Sequence, residues 1–120
     1  MDRTMDRALE PVTSKCRRRP VAARFGPKIA VNGPANGSTC SGYVGNCGCM
    51  HAEAKLIMEM LKEGREHPHL EVTLAPCVQC AHLIVAVGWI KRVTYTHDYR
   101  DKQGVRIIRN AGLEVEKWRS

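Results

Sequence analysis

Four side chains in two short runs carry the reactive chemistry of this sequence. Cys49-Met50-His51-Ala52-Glu53 contains H-x-E, and Leu74-Ala75-Pro76-Cys77-Val78-Gln79-Cys80 contains P-C-x-x-C. Together they offer one imidazole, two thiols and a carboxylate. His51, Cys77 and Cys80 suit Zn2+, which accepts nitrogen and sulfur and, with three protein ligands, keeps a fourth tetrahedral position open for water. Glu53 is then left for proton transfer. A closed zinc knot would need a fourth protein ligand, and a redox C-x-x-C pair would need no histidine.

For these groups to meet, each run must open a helix. After His51, the apolar residues Ala54, Leu56, Ile57, Met60 and Leu61 recur with helical spacing, while Lys55, Glu59, Lys62 and Glu63 fall mostly on the other side. The pattern predicts a helix from His51 to Gly64, with the glycine as its stop. Pro76 suits the opening turn of a second helix, from Cys77 to about Val87. Two helix N-termini would then face the metal, and their positive ends favour thiolate and carboxylate.

The remaining elements form an α/β pattern. Val21 to Phe25, a Gly26-Pro27 turn and Lys28 to Asn32 read as a hairpin. Leu70 to Leu74 reads as a strand that delivers Ala75-Pro76-Cys77, and Arg92 to His97 as its parallel neighbour across a right-handed crossover. A helix follows, beginning within Tyr99 to Val105 and running through Asn110, then a last strand from Leu113 to Trp118. Met5, Ala8, Leu9 and Val12 mark a short N-terminal helix that Pro11 interrupts. Gly33 to Met50 is a glycine-rich stretch without a periodic apolar face and is expected to be loop, part of a pocket wall that runs into His51. His67 and His69, either side of Pro68, are expected at the surface.

Length and composition fit one domain over residues 1–120. Apolar residues make up 43% and aromatics 5%, so the core must be mainly aliphatic. No apolar run approaches the roughly 20 residues a membrane span needs, and Met1 to Lys15 is too charged for a signal peptide. A soluble cytoplasmic chain is expected. The six cysteines crowd between Cys40 and Cys80 apart from Cys16, beside His51, which fits metal ligation in a reducing compartment better than a disulfide framework. A net charge of +7 suits an anionic substrate, either a nucleotide or a polynucleotide.

The paired H-x-E and P-C-x-x-C runs are the signature of zinc nucleobase deaminases, and the chain resembles the cytidine and deoxycytidylate deaminase superfamily. The resemblance sharpens toward deoxycytidylate deaminases, which carry S-T-C-x-R-R-x-V-G-A near the N-terminus. Here Ser14, Cys16, Arg18, Arg19, Val21 and Ala23 fall in register, while Lys15, Pro20 and Ala22 depart. Asn32-Gly33-Pro34 is similar to the family's N-G-T-P, and Tyr99-Arg100-Asp101 followed by Gly104 and by Ala111-Gly112-Leu113-Glu114-Val115 is similar to its closing run. Ala75 departs from the Glu, Ser or Thr of many relatives.

The resemblance implies a three-layer α/β/α fold around a mixed five-stranded sheet, with an N-terminal antiparallel hairpin and parallel last strands. It implies hydrolytic deamination of dCMP to dUMP, with 5-substituted dCMP as a further candidate substrate, and Glu53 as the proton carrier. Substrate contacts would come from Asn32 to sugar and base, the Ala52 amide and Ala75 carbonyl to the base edge, and Ser14, Arg18 and Tyr99 near the phosphate. A second, structural zinc held by Cys16, Cys40, Cys47 and Cys49 is a further expectation, as are a homo-oligomer (dimer or hexamer) and Mg2+ with a regulatory nucleotide. Deaminases of tRNA or single-stranded DNA also carry H-A-E and P-C-x-x-C, so a polynucleotide substrate is the alternative. No membrane partner is expected.

Overall fold

A computed structural model describes residues 21–34, 49–99 and 101–118. The expected N-terminal helix, Ser14, Cys16, Arg18, Cys40 and Cys47 lie outside the described residues. The strands are β1 (Ala22–Phe25), β2 (Lys28–Val31), β3 (Gly33–Pro34), β4 (Cys49–Met50), β5 (His69–Leu74), β6 (Arg92–His97) and β7 (Glu114–Lys117). The helices are α1 (Ala52–Glu63), α2 (Val78–Val87) and α3 (Gln103–Asn110).

Five strands form one sheet in the order β2-β1-β5-β6-β7. The hairpin β1–β2 is antiparallel, with Ala22 opposite Val31 and Phe25 opposite Lys28, and β1 lies antiparallel to β5 through Ala23–Val72 and Arg24–Glu71. From β5 onward the strands are parallel: Leu70 faces Val93, and Val93 faces Val115. This is the mixed five-stranded sheet that the family resemblance implies, with the hairpin and the β5–β6 pair also read from the pattern. The helices α2 and α3 each cross between parallel neighbours, and right-handed crossovers put both on one face of the sheet. They pack on each other, while α1 packs on β1 and β2 and reaches α2.

The core is aliphatic, as composition requires. Leu56, Ile57 and Met60 of α1 belong to one buried cluster with Ala23 and Phe25 of the hairpin, Leu70 and Val72 of β5, Ile84 of α2 and Ile108 of α3. In β6 the consecutive residues Val93, Thr94 and Tyr95 are all buried, so this strand is covered on both faces. Phe25 also stacks obliquely on Trp89, with ring centroids 5.4 Å apart, which ties the hairpin to the segment between α2 and β6.

Two expectations shift and one sharpens. Leu61, assigned by its spacing to the apolar side of α1, is 55% exposed, because Leu56, Ile57 and Met60 already fill the buried stripe. The third helix starts at Gln103, within the expected Tyr99–Val105 window, after Asp101 has accepted the Gln103 N–H on Oδ1 at 2.9 Å. The stretch from Gly33 to Met50 is not all loop: β3 and β4 pair antiparallel, Gly33 with Met50 and Pro34 with Cys49. No described helix is long and apolar enough to cross a membrane.

Candidate metal centre and proton carrier

The site lies beyond the carboxyl end of β5, where α/β sheets with parallel strands place their ligands. Two helix starts build it. His51 is the N-cap of α1 (φ −69°, ψ 146°) and Cys77 the N-cap of α2 (φ −77°, ψ 175°), both in the extended conformation that a cap residue adopts. Their carbonyls accept the first helical bonds, from Lys55 N–H at 3.0 Å and Ala81 N–H at 2.8 Å. Neither side chain caps its own helix. Imidazole and thiol turn toward each other instead.

Cys80 lies three residues into α2 from the cap, and an i, i+3 spacing puts its thiol on the same side as Cys77. Nδ1 of His51 is 3.4 Å from Sγ of Cys77 and 3.3 Å from Sγ of Cys80. All three donor atoms lie within 4.8 Å of one another. Ligands at zinc distances of about 2.0–2.3 Å in a tetrahedral arrangement are spaced roughly 3.5–3.8 Å apart. The observed spacing and the N/S/S donor set therefore fit Zn2+. His51 is exposed, Cys77 half-buried and Cys80 buried, so the group opens on one side.

The two thiols are electrostatically unlike. Hydrogen bonding from Cys80 holds the Cys77 thiol well below its ordinary value, against the opposing effect of burial, with His51 adding to the depression. Cys80 is pushed up, first by that same hydrogen bond and then by burial. A cation between them would favour the thiolate form of both.

Glu53 stands on the second residue of α1 and is 4% exposed. Burial pushes its carboxyl up to about 7, with its own backbone amide and His51 pulling the other way. A carboxyl with that affinity can hold a proton and release it near neutral pH.

The other expected contact residues divide. Asn32 is buried at the end of β2, where its Oδ1 accepts the Val21 N–H at 2.9 Å and its own N–H donates to the Val21 carbonyl at 2.9 Å. Its amide thus closes the hairpin at the end that points toward the site. The β3–β4 pairing then sets Gly33 opposite Met50, so Asn32 and His51 become neighbours across the ladder. Sequence periodicity gave no sign of this pairing, since two-residue strands have no period to detect. Ala52 is fully buried at the start of α1, and Ala75 is buried just past β5, its N–H bonded to the His97 carbonyl at 2.8 Å. Tyr99 is half-buried against the core at the carboxyl end of β6. Pro76 precedes the α2 cap, one position earlier than expected, where it restrains Ala75 to an extended conformation. Of the four cysteines considered for a second metal, only Cys49 is described, in β4.

Comparison with known proteins agrees with this geometry. The chain is 40% identical over 70 residues to the deoxycytidylate deaminases of Enterobacteria phages T2 and T4, a stretch that covers 55% of this chain. The same stretch covers 37% of the T2 protein and 36% of the T4 protein, so the chain spans little more than a third of the relatives it matches. The crystal structure of the dCMP deaminase from cyanophage S-TIM5, in complex with dCMP and dUMP, superposes with a TM-score of 0.76 at 26% identity, covering 98% of this chain and 93% of that one. The model of the cytidine and deoxycytidylate deaminase zinc-binding region matches residues 2–97. With that match across most of its length and these donors at two helix starts, the chain belongs to the cytidine and deoxycytidylate deaminase family.

Proposed function

We propose that this protein hydrolytically deaminates dCMP to dUMP and releases ammonia, with His51, Cys77 and Cys80 as zinc ligands and Glu53 as the proton carrier. The observation that carries the reading is the convergence of the three donor atoms beside a buried carboxyl whose pKa lies near neutrality. The phage relatives and the S-TIM5 complex support dCMP as the substrate.

When bound, zinc supplies Lewis acidity that lowers the pKa of a water toward about 7. The residues of the chain do the rest. Glu53 takes a proton from the attacking water and hands it to N3 of the cytosine ring as hydroxyl adds at C4; it then takes the proton of that new C4 hydroxyl and delivers it to the 4-amino group, so that the C4–N bond breaks, ammonia leaves and the C4 carbonyl of uracil forms. One carboxyl thus serves as base and acid. The Ala52 amide and Ala75 carbonyl hold the base edge, Asn32 the sugar and base, and Tyr99, Ser14 and Arg18 the phosphate end. Burial of Ala52, Ala75 and Glu53 keeps bulk water from competing at the ring.

Ammonia release across cytosine, deoxycytidine, dCMP, CMP, dCTP and 5-substituted dCMP tests the reading. Turnover should be highest on dCMP and poor on deoxycytidine, which lacks the phosphate. Equal rates on the two, or activity confined to an oligonucleotide, would overturn the substrate assignment. The family resemblance also supports a homo-oligomer in the cytoplasm with Mg2+ and a regulatory nucleotide as effector. Light scattering, and rates measured with and without dCTP or dTTP plus Mg2+, test those points.

A further inference from the structure

We propose that Gly104 is a positioning residue for the metal-binding turn, because the start of α3 is seated directly on the Pro76–Cys77 backbone. The inference rests on the reading that His51, Cys77 and Cys80 hold zinc. Gly104 is buried at the second residue of α3. A Cβ at this position would run into the Pro76 carbonyl oxygen and lie 2.9 Å from both the carbonyl carbon and oxygen of Cys77. Those are backbone atoms, so no side-chain rotation relieves the contact. Either α3 or the turn must move.

Movement of α3 is resisted because Val105 and Ile108, on the same buried stripe as Gly104, are packed in the core. Movement of the turn is felt at the metal donors. The Cys77 carbonyl accepts the first helical bond of α2, from Ala81 N–H at 2.8 Å, and the Cys77 side chain leaves the same residue toward His51. Pushing this peptide therefore displaces Sγ of Cys77 relative to Nδ1 of His51, which is fixed by another helix. The missing side chain at residue 104 sets the depth at which the turn rests, and so the spacing of the donors. It holds the ligand in place without touching metal or substrate.

The test compares Gly104→Ala with Gly112→Ala. Gly112 has φ +92° and open space around its Cβ position, so alanine there strains the backbone far from the donors. Zinc affinity is measured by competition with a chromophoric chelator, and donor geometry by the thiolate-to-cobalt charge-transfer band of the Co2+ form. Gly104→Ala should weaken zinc binding by about 10–100-fold, the usual loss when a residue supporting a ligand is changed, and should shift the cobalt band. Gly112→Ala should lower the melting temperature and leave both readouts at the wild-type value. If Gly104→Ala matches wild type in affinity and spectrum, the positioning role is overturned even though zinc binds. If wild type itself binds no zinc, the metal reading fails first and takes this inference with it. Should Gly104→Ala not fold, hydrogen exchange on the wild-type protein decides: zinc loading should slow exchange at residues 104–107 together with residues 78–81. Protection confined to 78–81 overturns the role.

Discussion

Two polar clusters sit at opposite ends of β5, each built around a histidine, and they have opposite characters. At the amino end, Nε2 of His69 lies 2.9 Å from Oγ1 of Thr94, and Nε of Arg24 donates to Oε2 of Glu71 at 2.6 Å. Charges there are matched within the sheet. At the carboxyl end, His51, Cys77 and Cys80 face chiefly one another, and Glu53 is buried with its pKa displaced upward. Apart from the buried Nε of Arg92, the fold pairs its polar groups at the amino end, whereas at the other it brings three metal-type donors together beside a buried carboxyl. Such displaced titration behaviour concentrates where chemistry is done, so the contrast separates His69, tied into the sheet, from His51, whose place beside two thiols supports the proposed zinc site.

The sharpest way to break the contrast is to remove a donor. Cys80→Ala should lower the metal content by about one zinc per chain and abolish ammonia release, since two protein ligands fall short of the three that a catalytic zinc site uses. Elemental analysis of purified protein checks it. Unchanged zinc in this variant would mean that the carboxyl-end cluster is as structural as the other. Next in size, Glu53→Gln should keep its zinc while kcat on dCMP falls by about 100- to 10,000-fold, the range of general acid–base catalysis. Full turnover in that variant would assign the proton transfer elsewhere.

The carboxyl-end cluster was legible in the sequence because its logic is local. A helix start, an i, i+3 cysteine pair and a proline before the cap are each visible within a few residues, and β5 leads straight into them. The five-stranded sheet was legible for a similar reason: its strands are separated by clear turns and its crossovers have only one favoured hand. What escaped depends on contacts between distant residues. The β3–β4 ladder joins Gly33 to Met50 with two residues a side, too short for any alternation. Gly104 appeared only as part of a family run, since its meaning lies in what it touches across the molecule. Leu61 follows the apolar spacing of α1 and is nevertheless exposed, because spacing identifies a stripe and not its width. The amino-end network was missed because His69 beside Pro68 reads as turn chemistry, whereas it is the first residue of β5. Ser14, Arg18 and the Cys16, Cys40, Cys47 set lie outside the described residues.

Arg24→Met tests the amino end. It strands the Glu71 carboxylate in a half-buried position, and hydrogen bonds to charged groups are worth about 1.5–3 kcal/mol. The screening at this depth puts the expected loss toward the lower end, about 1–2 kcal/mol in urea unfolding. Zinc content should not change. A loss of zinc in Arg24→Met would show that the two ends of β5 are coupled and that treating them as independent is wrong.

The smallest effect is a pH dependence. Burial, followed by the neighbouring charges of Arg92, His67 and Arg24, holds His69 below its ordinary value of 6.5, with Glu71 opposing. The unfolded chain therefore binds a proton at this position in a pH range where the folded protein does not. Stability must then rise with pH across that range and fall as the solution is acidified below about 6.5. His69→Gln retains an amide to meet Thr94 but cannot titrate. The drop in urea midpoint between neutral and mildly acidic pH should accordingly be smaller in His69→Gln than in wild type, while every other titrating group contributes equally to both. An identical drop in the two proteins would mean that His69 is protonated alike in folded and unfolded states, and the amino-end cluster would lose its claim to be a matched, neutral-histidine network.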